Sequence, residues 1–200
     1  MLPITHFSQL DLNAHYTYAD YLLWQFQDRV ELIRGKVLRM SPAPSMTHQR
    51  IVQELGRQLG NFFHLYPCQV FPAPFDVRLT RKVSASEQET TTVVQPDLCV
   101  VCDVSKLDER GCNGAPDLAI EILSPGNTRR EMREKYEVYE EAGVREYWIV
   151  NPSEKVVLIY VLNEQGRYIG LQPLTEDVQL QSVVFPDLSI SLEEVFREII

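Results

Sequence analysis

Hydrophobic residues recur along this chain at two spacings, one typical of helices and one typical of strands. After the Pro-rich segment SPAPS, apolar side chains follow helical spacing at Val52, Leu55, Leu59 and Phe62. His48 lies on the same stripe, one turn before Val52. This pattern predicts a long amphipathic helix that presents a histidine near its N-terminus.

A second amphipathic helix is predicted after a Ser-Pro-Gly-Asn segment. Thr128-Arg-Arg-Glu131 has the spacing of a capping box, and Gly143 is a suitable helix terminator. Met132, Tyr136 and Tyr139 mark its apolar stripe at i, i+4 and i+7. Lys135 falls at i+3 from Met132, so the pattern turns it toward the apolar side of the helix.

Strand patterns fill most of the remaining chain. VELIRGKVLRM is typical of a β-hairpin turning at Arg34-Gly35, and REYWIVNP with KVVLIYVLN indicates another. LCVV and DLAIEILS are further strands, and Ser191-Leu-Glu-Glu194 caps a short last helix. The order of elements predicts a single α/β domain over residues 1–200, with a central mixed sheet, flanking helices and added hairpins.

The charge balance limits the classes of partner. The 200 residues contain 19 basic and 28 acidic side chains, a net charge of −9. This argues against broad nonspecific nucleic-acid binding, but not against a nucleic-acid enzyme whose carboxylates bind metal. One local basic segment, TRREMREK, makes Arg129 and Arg130 candidates for contact with DNA phosphates.

Neither a secretory signal nor an apolar run of about 20 residues is present, so we expect a soluble cytoplasmic protein without membrane contact. The four cysteines are then expected to be small, buried or half-buried free thiols. Cys99 and Cys102 have CxxC spacing, but residues three apart in a strand point to opposite faces and cannot close on one metal.

Two carboxylates are candidate metal ligands. Glu121 lies in the middle of DLAIEILS, between apolar neighbours on its own strand face, where a charge is costly unless it is paired or metal-bound. Asp97 follows Pro96 at the start of LCVV. Alone, Asp97 fits a structural turn and Glu121 a salt bridge or a loop cap. If their strands lie side by side, they form half of an oxygen-ligand site for a hard cation.

Two further residues have open alternatives. Lys135 lies on the sheet-facing side of its helix, where an ammonium needs a partner, and Glu121 is near it in the chain. Alternatively, the aliphatic part of Lys135 covers the sheet edge and its ammonium reaches solvent. His48 is consistent with a satisfied core histidine, or with a residue that contacts phosphate or orients water.

Several strings together resemble a known family. PDLCVV, PDLAIEILSP and KYEVYEEAGVREYWIVNP, preceded by VELIRGKVLRMSPAPSMTH, are similar to the Uma-two family of endonucleases, formerly domain of unknown function 820. The resemblance covers roughly residues 30–162. It implies a restriction-endonuclease-like fold of the PD-(D/E)XK nuclease superfamily.

The resemblance also implies roles for individual residues. Asp97 matches the Pro-Asp metal ligand and Glu121 the acidic residue of the second motif. The position two after Glu121 is Leu123, where the superfamily pattern has lysine. In related nucleases with this departure the lysine comes from the following helix, and Lys135 fits that position. Glu31 resembles an accessory acid that many such nucleases place near the metal, although an exposed strand glutamate is the default interpretation of its position.

These groups suit phosphodiester hydrolysis. Mg²⁺, with Mn²⁺ as a substitute, would be held by Asp97, Glu121 and the carbonyl of Ile122, and Lys135 would orient a water or stabilise charge. Lys135 with Tyr139 also resembles a helical Gln-xxx-Tyr pair, which leaves a binding role open. The expected substrate is DNA, and a homodimer would serve double-strand cutting. The alternatives are a catalytically silent nucleic-acid-binding module and an interaction protein with a structural ionic cluster.

Overall fold

The computed structural model describes residues 3–40, 44–80, 86–124 and 129–197. Its α-helices are α1 Tyr18–Tyr21, α2 Met46–Phe63, α3 Arg129–Ala142 and α4 Leu192–Val195, with 3-10 turns at Phe7–Gln9 and Val104–Lys106. None of the helices in these ranges is long and apolar enough to cross a lipid bilayer.

Two larger sheets and one two-stranded ribbon complete the secondary structure. The strands are β1 Val30–Ile33, β2 Lys36–Arg39, β3 Gln69–Pro72, β4 Val77–Arg78, β5 Val93–Val94, β6 Leu98–Val101, β7 Leu107–Asp108, β8 Gly111–Asn113, β9 Leu118–Ile122, β10 Glu146–Asn151, β11 Val156–Leu162, β12 Tyr168–Gly170, β13 Leu174–Thr175, β14 Gln179–Gln181 and β15 Ser189–Ser191. One sheet has the order β2-β1-β5-β4-β8-β7, and the other β12-β11-β10-β9-β6-β3, with β13 paired to β11.

The second of these sheets is the central one and is mixed, as predicted. β9 and β10 are parallel, whereas β6 pairs antiparallel with β9. Alternation along β9 sends Leu118, Ile120 and Ile122 into the core cluster under α2, and Ala119 into the cluster under α3. The central strands are therefore covered on both faces, and a charged side chain on either face must find a partner or reach the sheet edge.

Helix α2 forms where the sequence pattern predicts, but Ile51 and Phe63 are fully buried, whereas the predicted Val52 and Phe62 are only partly buried. The Ser45 side chain caps it by accepting from the His48 N–H at 3.2 Å. Its buried face contains five side chains at helical spacing: His48, Ile51, Leu55, Leu59 and Phe63. Burial of this apolar stripe against the sheet fixes the helix, and places its first turn beside the start of β6.

Helix α3 packs on the opposite face of the central sheet. Its buried side chains are Lys135, Val138 and Tyr139, and Gly143 ends it with a positive φ of 89°. The predicted capping residue Thr128 lies outside the described residues. Arg34, in the β1–β2 turn, forms ion pairs with Glu137 at 2.9 Å and Glu141 at 2.6 Å, which tie the hairpin to α3.

The four cysteines occupy two kinds of environment. Cys68 and Cys102 form a disulfide, so the prediction of free thiols is wrong at these positions. The reason is tertiary: antiparallel pairing of β3 with β6 aligns Gln69 with Val101 and brings two distant segments together. Cys99 and Cys112 are free and buried, as predicted, and burial raises the pKa of the Cys112 thiol to about 11.

A buried glutamate fastens the C-terminal part of the chain to the central sheet. Glu146, at the start of β10, is 0% exposed. Its carboxylate accepts from Trp148 Nε1 at 2.6 Å, from Ser182 Oγ at 2.9 Å, and from the N–H groups of Val183 and Val184 at 2.9 and 2.7 Å. The segment leading into β15 and α4 is thereby held against the core.

Glu146→Ala is expected to lower the free energy of unfolding by about 2–4 kcal/mol, because it leaves buried donors without an acceptor. Urea denaturation measures the change. Glu154→Ala is the control, since Glu154 is exposed in the β10–β11 turn and its removal should change stability by less than about 0.5 kcal/mol. Equal stability of the two variants would contradict the anchoring role of Glu146.

Candidate active site

A small cleft lies where β6 begins and β9 ends. Its volume is about 80 Å³, room for roughly two or three water-sized groups. The lining residues come from the first hairpin, the start of α2, the central strands and α3: Arg29, Met40, Pro44, His48, Gln95, Asp97, Glu121, Ile122, Ser124, Glu131 and Lys135. Segments far apart in sequence therefore converge on one polar depression.

The two predicted carboxylates enter this cleft from neighbouring strands. Leu98 of β6 pairs with Ile120 of β9, which places Asp97 and Glu121 one residue further along, side by side. Asp97 Oδ2 accepts from the Ile122 N–H at 2.7 Å and lies 3.1 Å from His48 Nε2. The sheet register and two neighbouring donors thus fix the Asp97 carboxylate.

Lys135 reaches the same place from α3. Its Nζ is 2.8 Å from Glu121 Oε1 and 3.1 Å from Glu31 Oε1, and the residue is only 6% exposed. The Tyr139 hydroxyl, one turn further along α3, donates to Glu121 Oε1 at 2.7 Å. Lys135 therefore bridges the buried Glu31 and the partly buried Glu121 rather than snorkelling to solvent.

The ionisable groups of this cluster shift one another's pKa values. Burial raises the pKa of the Glu121 carboxyl, Lys135 opposes the rise, and the charges of Asp97 and Glu31 add to it. Burial alone would lower the pKa of Lys135, but Glu121 and Glu31 outweigh it and the net pKa is raised. Three carboxylates, Asp97, Glu121 and Glu31, therefore lie around the Lys135 ammonium.

The carboxylates of Asp97 and Glu121 suit Mg²⁺ or Mn²⁺, the metals expected from the sequence. Two convergent carboxylates supply oxygen ligands of the type that Mg²⁺ and Mn²⁺ prefer. Within the described ranges, no three His, Cys, Asp or Glu side chains are grouped to hold a metal ion. Completing the coordination therefore requires other oxygens, such as a backbone carbonyl or water, as expected for Mg²⁺, which retains several waters.

Of the two accessory candidates, His48 lines the cleft, whereas Glu31 lies beneath it and contacts Lys135. Glu31 is 2% exposed and not a surface strand residue; it also accepts from the Gln95 N–H at 2.8 Å. His48 contacts Asp97 through Nε2, while its buried Nδ1 has no hydrogen-bond partner among the described residues. Both contacts span long sequence separations, which single-sequence patterns do not reveal.

Other candidate residues do not line the cleft. Arg129 and Arg130 are exposed in the first turn of α3, where Arg130 Nε is 2.7 Å from Glu134 Oε1. A further acidic residue, Asp117, shares the strand face of Glu121, but its carboxylate has other partners: it accepts from the Cys102 N–H at 2.9 Å and from Arg145 at 3.1 Å.

Sequence reasoning missed Arg29, Gln95, Ser124 and Glu131, all of which line the cleft. The one usable signal was that Gln95 directly precedes the Pro96-Asp97 pair. Arg29 stands before β1 in a polar stretch without periodicity, so nothing in its surroundings distinguished it from a surface arginine.

Comparison with known proteins gives a family. The model of the Uma2 family, described as "Putative restriction endonuclease", matches residues 18–193. Among solved structures, one similar chain is a crystal structure described as "a putative nuclease belonging to DUF820" from Anabaena variabilis ATCC 29413. It has a TM-score of 0.71 and 18% identity, and the alignment covers 92% of this chain and 99% of that one.

A comparison with curated proteins found no match. The structural likeness shows the same fold, with the mixed sheet and flanking helices described above. The family model spans both carboxylate-bearing strands and α3. The chain therefore belongs to the Uma2 family.

Proposed function

We propose that this protein is a Mg²⁺-dependent endonuclease that hydrolyses phosphodiester bonds in DNA. The observation that carries the proposal is the Lys135–Glu121 contact of 2.8 Å beside Asp97, at a cleft open to solvent. Family membership supports a nuclease, and the chemistry of the cleft supports metal and phosphate as its ligands.

In this proposal Asp97, Glu121 and the Ile122 carbonyl hold the ion. When bound, Mg²⁺ supplies Lewis-acid polarisation of the phosphate and a more acidic water. His48 and the Ile122 N–H fix the Asp97 carboxylate, and Tyr139 fixes Glu121. These contacts would orient the two carboxylates toward the ion.

Lys135 acts as a cation in this scheme and not as a base, because its raised pKa keeps the amine protonated. An ammonium has three donors, and two are directed at Glu31 and Glu121. The third is available to an oxygen in the cleft, where it can orient the attacking water or stabilise negative charge in the transition state.

Cleavage of supercoiled plasmid DNA tests the proposal directly. We expect nicked or linear product with Mg²⁺ or Mn²⁺, and none with EDTA. DNA binding without cleavage under any divalent metal would overturn the enzyme assignment and favour the catalytically silent module. Absence of both DNA binding and metal binding would favour an interaction protein with a structural ionic cluster.

The start of α3 is proposed as a DNA-backbone contact. If Arg129 and Arg130 meet phosphates, log affinity should fall linearly with log salt, and Arg129→Ala or Arg130→Ala should each flatten the slope by about one. The exposed Arg130–Glu134 pair contributes little to stability, so folding should be unaffected.

Arg167→Ala is the matched control for Arg130→Ala. Both arginine side chains are 75% exposed and pair with a glutamate of α3, but Arg167 pairs with Glu140 near the other end of the helix. Fluorescence anisotropy of a labelled duplex at several salt concentrations measures the slopes. If Arg167→Ala flattens the salt dependence as much as Arg130→Ala does, the start of α3 is not the DNA-binding position.

A further inference from the structure

Arg29 lies at the exposed mouth of the cleft, immediately before β1. Its backbone is fixed, because its carbonyl accepts from the Met40 N–H at 2.9 Å. Its guanidinium Nη2 donates to Gln95 Oε1 at 3.1 Å. The side chain is therefore held at the cleft while its remaining donors stay accessible from solvent.

Gln95 is built to hold Arg29 in this position. Its Nε2 donates to Asp76 Oδ1 at 2.8 Å, which turns Oε1 toward the guanidinium. Its backbone N–H donates to Glu31, the carboxylate that also contacts Lys135. Gln95 thus contacts Arg29 through its side chain and Glu31 of the ionic cluster through its backbone.

The two cations of the cleft have different surroundings. Lys135 lies between the carboxylates of Glu31 and Glu121, so its charge is compensated within the protein. Arg29 contacts a neutral amide and forms no ion pair among the residues that the structure describes. Its charge is therefore available to an anion entering the cleft beside Asp97.

We infer that Arg29 binds a backbone phosphate of the nucleic acid, at or next to the one that is cleaved. A guanidinium offers a planar pair of N–H donors that matches two phosphate oxygens. The phosphate would bridge Arg29 and the carboxylate site, which places its phosphorus near the position proposed for the metal. This inference rests on the proposed nuclease function and names the residue that binds its substrate.

The test compares Arg29→Gln and Arg29→Lys with Arg39→Gln. Arg39 belongs to the same hairpin and pairs with Val30, but its guanidinium contacts Asp28 at 2.5 Å and lies over the Phe7 ring. Each Gln variant removes one positive charge from this hairpin, but only one alters the cleft. Arg29 and Arg39 are both exposed, so we expect both Gln variants to fold. Arg29→Lys keeps the positive charge and changes only the shape of the donor group.

We expect Arg29→Gln to raise KM for a labelled duplex about 10- to 100-fold, with a smaller rise for Arg29→Lys, which lacks the planar fork. Duplex affinity measured by anisotropy in EDTA should fall in the same order. Arg39→Gln should stay within about twofold of the parent in both measurements. Mg²⁺ affinity, measured by calorimetry, should be unchanged in all three variants.

Two results would overturn the assignment. If Arg29 only balances the carboxylates, Arg29→Gln will tighten Mg²⁺ binding and leave KM at the parent value. If the parent cleaves DNA and Arg29→Gln matches Arg39→Gln, Arg29 does not bind substrate, although the nuclease function stands. A parent that neither binds nor cleaves DNA overturns the proposed function itself and this inference with it.

Discussion

Lys135→Ala is expected to lower the rate of DNA cleavage by about two to four orders of magnitude while Mg²⁺ binding is retained. Loss of a positioned acid–base or charge-stabilising group typically lowers the rate by this amount. Metal affinity should survive because the proposed ligands, Asp97 and Glu121, are intact. We expect Lys135 to be required because Leu123, at the position where the resembled superfamily pattern has lysine, cannot supply a cation.

A second variant, Lys135→Gln, controls for loss of stability in this experiment. Removing the ammonium leaves Glu31 and Glu121 buried without their shared partner, which lowers stability as well as activity. Lys135→Gln keeps a neutral donor of similar length, so cleavage rates of both variants are compared after circular dichroism confirms folding. A folded variant of either kind that cuts DNA at the parent rate would refute the proposed role of Lys135.

Asp97→Ala and Glu121→Ala are each expected to abolish Mg²⁺ binding and cleavage. One remaining carboxylate cannot hold a strongly hydrated divalent ion. Isothermal titration calorimetry with Mg²⁺ or Mn²⁺ on the folded variants measures the loss, and Asp97→Asn and Glu121→Gln serve as near-isosteric versions.

Asp117→Asn is the matched control for the metal experiment. Asp117 precedes β9 on the same strand face as Glu121, but the Cys102 N–H and Arg145 occupy its carboxylate. Its substitution should leave Mg²⁺ affinity unchanged. If Asp97 and Glu121 variants bind Mg²⁺ as tightly as the Asp117 variant, the carboxylate pair is not the metal site.

Local periodicity was sufficient to predict the elements that carry the cleft. Alternation along β9 placed Glu121 on the face opposite Ile120 and Ile122, and helical spacing turned Lys135 toward the sheet. These inferences succeed because each depends on residues within two turns or one strand of each other. Proximity of Lys135 to Glu121 followed from the short connection between β9 and α3.

The rest of the cleft depends on pairing between distant segments. The sequence pattern of Glu31 is that of an exposed hairpin residue. Its burial depends on the pairing of β1 with β5, where its carboxylate accepts from the Gln95 N–H. His48 looks like an ordinary member of an apolar stripe until α2 docks beside Asp97. Similarly, Glu146 is buried only because the segment containing Ser182 folds back over β10. No local pattern encodes these long-range contacts.

The position of α4 matters for anyone choosing an expression fragment. The family match ends at residue 193, inside α4, whereas Val195 and Phe196 are fully packed in the core beneath α2. A fragment cut at the family boundary would expose the apolar surface that these two side chains cover, and would be prone to aggregate. Fragments intended for crystallisation or assay should therefore extend past Phe196.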